Sequence, residues 1–260
     1  MSSPFDLSTV THPWRVIIKN SHGEKLVGIL HDTGSKELVV LCHGLQSSKE
    51  RIPMVNLAAA LEKEGISAFR FDFAGNGESE GSFQYGNYHR ETDDLRAVIQ
   101  HFHWEKRLIT AIVGHSKGGN VALLYASMFN DVSKVVNISG RFNLERGIEG
   151  RLGKFEYCVT EESLRDRLST DTHAACLLIH QDCRVLTVHG SMDKVVPVDD
   201  AMEFAKFISN HKLHIIEGAD HEYTKHQDEL ASVVLNFVRD RDTSEQLPLQ
   251  TRIRSIHSRL

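Results

Sequence analysis

Ser116 stands at the centre of Gly114-His115-Ser116-Lys117-Gly118, between an apolar run at 108–113 and a helix-forming stretch at 119–126. A strand, G-x-S-x-G and a helix in succession lift a serine hydroxyl out of a sharp turn. Glycines two residues before and after the serine remove Cβ atoms that would collide where the chain doubles back. The hydroxyl then lies at a helix N-terminus, where unpaired backbone N–H groups favour a developing anion. This is the local chemistry of a nucleophile that attacks a carbonyl. A serine hydroxyl is weak at its own pKa and needs a base within hydrogen-bond reach, so the rest of the chain must supply one.

Three other apolar runs end in loops that carry the missing parts. Leu38-Val39-Val40-Leu41-Cys42 leads into His43-Gly44-Leu45. A backbone N–H just beyond such a strand pairs with the N–H after the nucleophile to bind an oxyanion; here the donors are Leu45 and Lys117. The Lys117 side chain itself is expected in solvent. The run 184–188 leads through His189-Gly190-Ser191-Met192 to Asp193. Asp199 is the better N-cap for the helix that follows, which leaves Asp193 to orient a histidine and support its charge. Finally 213–217 leads through Gly218-Ala219-Asp220 to His221, which would take the serine proton and return it to the leaving group. The chain order is Ser116, Asp193, His221.

These motifs, with Asp72-Phe73-Ala74-Gly75-Asn76-Gly77-Glu78-Ser79, resemble those of α/β-hydrolases of the serine esterase and lipase-like group. The chain is similar in particular to the small feruloyl and cinnamoyl esterases and to plant relatives described as esterase or lysophospholipase-like. The resemblance spans roughly 14–240. It implies an α/β-hydrolase fold, cleavage of a carboxylic ester or thioester through an acyl-enzyme, and no metal or organic cofactor. Non-hydrolytic receptors and lyases on the same scaffold form the alternative, because fold does not dictate function. Ser116 in place of a carboxylate argues against a dehalogenase.

The elements that must hold these residues follow from the apolar pattern. Strands are expected at 14–19, 26–31, 38–42, 67–71, 108–113, 134–138, 184–189 and 212–217, and helices at 51–64, 89–103, 119–126, 199–209 and 222–239. After an initial hairpin, strands alternate with helices. That is the α/β class, with a mostly parallel sheet covered on both faces. The expected hydrolase domain is 1–240, with a polar, basic tail at 241–260. Residues 141–160 break the alternation with no apolar period and are read as a short cap over the site. The feruloyl-esterase relatives carry a longer cap that supplies much of their aromatic-ester pocket, so small or medium acyl groups are expected here. Phe142, Phe155 and Tyr157 either line a pocket or anchor the cap to the core.

Other motifs fall short. His221 and His226 are five apart, not the four that place two zinc ligands on one helix face. Gly75-Asn76-Gly77 lacks the third glycine of a dinucleotide turn. Asp72 is read as the holder of that turn.

A chain of 260 residues with 40% hydrophobic residues suffices for one core of this kind, and a net charge of −5 gives no basic field for nucleic acid. Cys42, Cys158, Cys176 and Cys183 show no paired spacing, and Cys42 and Cys183 are read as reduced core thiols. No apolar run is long enough to span a bilayer, and 1–6 holds no signal-peptide core. The ending Ser258-Arg259-Leu260 resembles the Ser-Lys-Leu address read by the peroxisomal import receptor. The peroxisome is therefore the expected location, with the cytosol as the alternative. An N-terminal fluorescent fusion checks this: punctate signal that becomes diffuse when 258–260 are deleted is expected, and diffuse signal from the intact fusion refutes it.

Overall fold

The computed structural model describes residues 13–147 and 159–240. Tail 241–260, Phe155, Tyr157, Cys158 and most of the 141–160 segment lie outside the described residues. Eight strands form one sheet: β1 (Trp14–Lys19), β2 (Lys25–His31), β3 (Glu37–Cys42), β4 (Ser67–Phe71), β5 (Leu108–His115), β6 (Lys134–Ile138), β7 (Arg184–Gly190) and β8 (His211–Ile216). Their spatial order is β1-β2-β4-β3-β5-β6-β7-β8. The β1–β2 and β2–β4 pairs are antiparallel, and every pair from β4–β3 onward is parallel.

Side chains of a strand point alternately to opposite faces, and β3 shows what this does. Leu38, Val40 and Cys42 enter one apolar core, while Val39 and Leu41 enter the other. The first core is closed by α2 (Tyr88–Trp104), α3 (Lys117–Met128), α5 (Thr172–Leu178) and α6 (Asp199–Phe207). The second is closed by α1 (Ile52–Lys63) and α7 (Gln227–Arg239). Burial on both faces explains why these strands read as continuous apolar runs.

The chain runs from β3 to β4 on one side and then crosses back to β5 on the other. That reversal opens a crevice beyond the carboxyl ends of β3 and β5, the place where open α/β sheets bind ligands. The loops after β3, β5, β7 and β8 all emerge at this edge.

Three features differ from the sequence expectations. The β6–β7 connection contains α4 (Glu161–Ser169) and α5, where no element was expected. The buried side chains of α4 are Ser163 and Arg167, so it carries no apolar stripe. Its signal is the N-cap: Thr160 accepts the Ser163 N–H, as Asp171 accepts that of Ala174 for α5. Second, α7 begins at Gln227 rather than 222. Asp220 Oδ1 takes the Thr224 N–H, and Tyr223 has φ 54° with its hydroxyl buried against Ser139, which keeps 222–226 as turns. Third, Asp199 is the first helical residue of α6; Val198 holds the N-cap place without a side-chain bond. Phe142 packs on Phe204 and Phe207 in the core, which anchors the start of the connection. No helix among the described residues is long and apolar enough to cross a membrane.

Candidate active site

Ser116 joins β5 to α3 with φ 54° and ψ −120°, a conformation that side chains rarely adopt. Its N–H donates to Ile138 O at 2.7 Å, and its carbonyl accepts the Gly119 N–H at 2.9 Å. A Cβ at Gly114 would stand 2.1 Å from Gly118 O, and one at Gly118 would stand 2.4 Å from Cys42 O. Both distances are impossible contacts, so the two flanking glycines are fixed by space.

The loop after β3 runs beside Ser116; a Cβ at Gly44 would lie 3.1 Å from the Ser116 Cβ. His43 holds this loop. Its Nε2 accepts the Phe73 N–H at 3.1 Å, so the proton is on Nδ1, which donates to Gly44 O at 2.8 Å. Burial lowers the His43 pKa to about 4 and keeps the ring neutral. Neither the Leu45 N–H nor the Lys117 N–H meets an acceptor among the described residues. Both remain available to a ligand oxygen. Asp72 holds the neighbouring loop as expected: it accepts the Lys49 N–H and the Glu78 N–H and pairs with the Lys49 ammonium at 2.7 Å.

His221, on the loop after β8, lies with Nε2 3.0 Å from Ser116 Oγ and Nδ1 2.7 Å from Asp193 Oδ2. Asp193 is itself anchored, because Oδ1 accepts the N–H groups of Val195 and Val196. Burial alone would raise its pKa, but hydrogen bonds from His189 and His221 more than offset that and hold the carboxyl well below the ordinary range. The charged carboxylate therefore faces Nδ1, which fixes the tautomer and leaves Nε2 as an acceptor toward Oγ. His115 secures the histidine from behind by donating from Nε2 to His221 O at 2.8 Å. Burial, and then the charge of His221, lower the His115 pKa to about 3.

The chain matches the model of the serine aminopeptidase S33 hydrolases over residues 33–156, a little under half its length. Among solved structures it is similar to Est1E from Butyrivibrio proteoclasticus, determined with ferulic acid bound. The two share 22% identity and a TM-score of 0.73, over 85% of this chain and 97% of that one. It is also similar to the Pyrococcus furiosus esterase Pf2001, with 24% identity and a TM-score of 0.73, over 88% of this chain and 92% of that one. The chain has the α/β-hydrolase fold. A Saccharomyces cerevisiae relative, the uncharacterized protein YDL057W, is 26% identical over 226 residues, 72% of this chain and 69% of the yeast protein.

A pocket of about 400 Å³ opens above Ser116 and His221. Among the described residues its apolar lining is Leu45, Val195 and Val196, and the other side chains around it are mostly polar or charged. Lys117 departs from the expectation. Its side chain is 4% exposed, with Nζ 2.7 Å from Glu91 Oε1 and 5.0 Å from the Tyr88 ring centroid. Burial raises the Glu91 carboxyl to about 7, against the pull of Lys117. Glu91 lies on α2, so only the packing of α2 against α3 brings the pair together. Sequence reasoning also passed over His43, His115, Tyr88, Arg141 and Arg167. His43 and His115 sit inside the recognised motifs, and that position is their only local signal.

Proposed function

We propose that this protein is a serine hydrolase that cleaves carboxylic esters or thioesters of small to medium acyl groups. The observation behind the reading is the 3.0 Å separation of His221 Nε2 from Ser116 Oγ, with Nδ1 held on a charged Asp193. Ser116 Oγ attacks the carbonyl carbon as its proton passes to His221 Nε2. The N–H groups of Leu45 and Lys117 receive the negative charge on the carbonyl oxygen. The tetrahedral species collapses, Nε2 protonates the departing alcohol or thiol, and the acyl group stays on Ser116. Water then gives a proton to Nε2 and attacks the acyl-enzyme. Release of the carboxylic acid restores Ser116 with its own hydroxyl proton.

A series of p-nitrophenyl esters tests this reading. Acetate and butyrate are expected to turn over at least about tenfold faster, by kcat/KM, than palmitate, because a largely polar pocket offers little apolar surface to bury a long chain. Palmitate equal to or faster than butyrate contradicts the acyl preference. Saturable binding of these esters without release of p-nitrophenol contradicts hydrolysis and supports a receptor on this scaffold.

A further inference from the structure

Among the described residues, four cations line the pocket above Ser116 (Arg51, Lys117, Arg141 and Arg167) against a single lining carboxylate, Glu222. Arg51 Nε lies 3.7 Å from Glu222 Oε2, and Lys117 pairs with Glu91. Arg167 is different. It is 5% exposed, and each of its nitrogens donates to a neutral oxygen: Nε to Leu144 O at 2.9 Å, Nη1 to Tyr88 Oη at 3.0 Å and Nη2 to Arg146 O at 3.0 Å. Its guanidinium also lies over the Tyr85 ring, 5.0 Å from the centroid. Among the described residues no carboxylate reaches ion-pair distance of it. The acids of this region are engaged elsewhere, Asp166 with the Tyr88 N–H and Asp200 with the Phe142 N–H.

A buried guanidinium solvated only by dipoles is costly unless an anion completes it. Arg167 has five N–H donors and uses three, so one remains on each Nη. Tyr88 supplies a further donor. Its oxygen accepts from Arg167, while its own O–H has no acceptor among the described residues. Burial pushes that hydroxyl up to about 12, so it keeps its proton. Arg141 adds a second guanidinium to the same pocket. Its Nη2 donates to Val195 O, and its backbone is pinned at both ends by Asn120, which donates to Arg141 O and accepts the Arg141 N–H. The donors are thus held in place before a ligand arrives, a condition that favours binding of a charged group.

We infer that the substrate cleaved at Ser116 carries an anionic oxygen group, a carboxylate or a phosphate, that docks on Arg167, Tyr88 and Arg141. This rests on the reading of Ser116 as the nucleophile. The anion is part of the ester itself, in either the acyl or the alcohol half, and it takes no part in bond making. It orients the scissile carbonyl between Ser116 and the two loop N–H groups.

Two matched pairs of esters test the inference. For the acyl half, mono-p-nitrophenyl succinate is compared with its neutral methyl ester. For the alcohol half, 4-acetoxybenzoate is compared with methyl 4-acetoxybenzoate. At low ionic strength we expect the charged member of one pair to be favoured at least about tenfold in kcat/KM, with the preference shrinking as salt rises. The charged-to-neutral ratio is expected to fall several-fold in Arg141→Gln and in Arg167→Gln. Should Arg167→Gln not fold, the wild-type preference and Arg141→Gln still decide. Competition by inorganic phosphate against the charged member shows that the pocket also accepts a phosphate. Turnover of the neutral esters with no preference for charge in either pair overturns the inference and leaves the hydrolase reading standing. Failure of all four esters to react, together with no fluorophosphonate adduct on Ser116, overturns the hydrolase reading itself and the inference with it.

Discussion

Ser116→Ala and His221→Ala are each expected to lower kcat for p-nitrophenyl butyrate by roughly 10⁴–10⁶, and Asp193→Asn by about 10⁴ or less. The losses will not add. Once Oγ is gone there is no proton for His221 to take, so the Ser116→Ala/His221→Ala pair should be little worse than either variant alone. The serine variant removes only one oxygen from a turn that Gly114 and Gly118 hold by space, so its melting temperature should stay close to that of the parent. Asp193→Asn acts differently, because an amide on Nδ1 no longer selects the tautomer that leaves Nε2 as an acceptor. Near-parental turnover by purified Ser116→Ala contradicts the assignment. A silent Asp193→Asn alongside an essential acid elsewhere contradicts only the third member.

The second large effect is on stability. Lys117→Met leaves the Glu91 carboxyl in the core without its partner at 2.7 Å, and breaking a buried pair costs about 3–5 kcal/mol at a pH where the pair is charged. The pH dependence identifies the cause. In the parent, burial raises the Glu91 carboxyl from its ordinary 4.5 to about 7. A raised carboxyl contributes stability that is fully present below the ordinary value and is lost as pH rises through the folded one. Without Lys117 the folded value rises further. Below about 7 both proteins then keep the proton and the deficit is flat. Above it the parent releases the proton and the variant does not, so the deficit widens by up to about 1.4 kcal/mol per pH unit. Urea melts at pH 6 and pH 8 measure this. The Lys117→Met/Glu91→Gln variant should show no such widening. An equal deficit at both pH values contradicts the account of the pair.

The sequence showed the central strands β3 to β7, and much of the order of Ser116, Asp193 and His221, for one reason. Strands buried on both faces appear as unbroken apolar runs, and the reactive loops begin where those runs stop. Val39 and Leu41 face one core while Leu38 and Val40 face the other, so no polar position interrupts the pattern. Helix α4 was invisible because its buried face is Ser163 and Arg167, which carries no apolar period. It docks through shape instead: a Cβ at Gly86 would lie 2.0 Å from Ser163 O. The start of α7 was misplaced because Tyr223, an apparent helix former, is held at positive φ by a buried hydroxyl bond. The Lys117–Glu91 pair and the Arg167–Tyr88 contact join residues 26 and 79 apart in the chain. Neither has a local pattern. The first depends on how α2 packs against α3 and the second on how α4 packs against α2, so the charge of the pocket emerged only from the assembled fold.

The central claim is that His221 activates Ser116 as a nucleophile, and a fluorophosphonate probe tests it most directly. Intact mass and peptide mapping after brief exposure at neutral pH should find one adduct per chain, on Ser116. The same treatment of His221→Ala should give little or none, since the hydroxyl then lacks its base. Folded parent protein that takes up no probe, or that carries the adduct on another residue while turning over esters, contradicts the account.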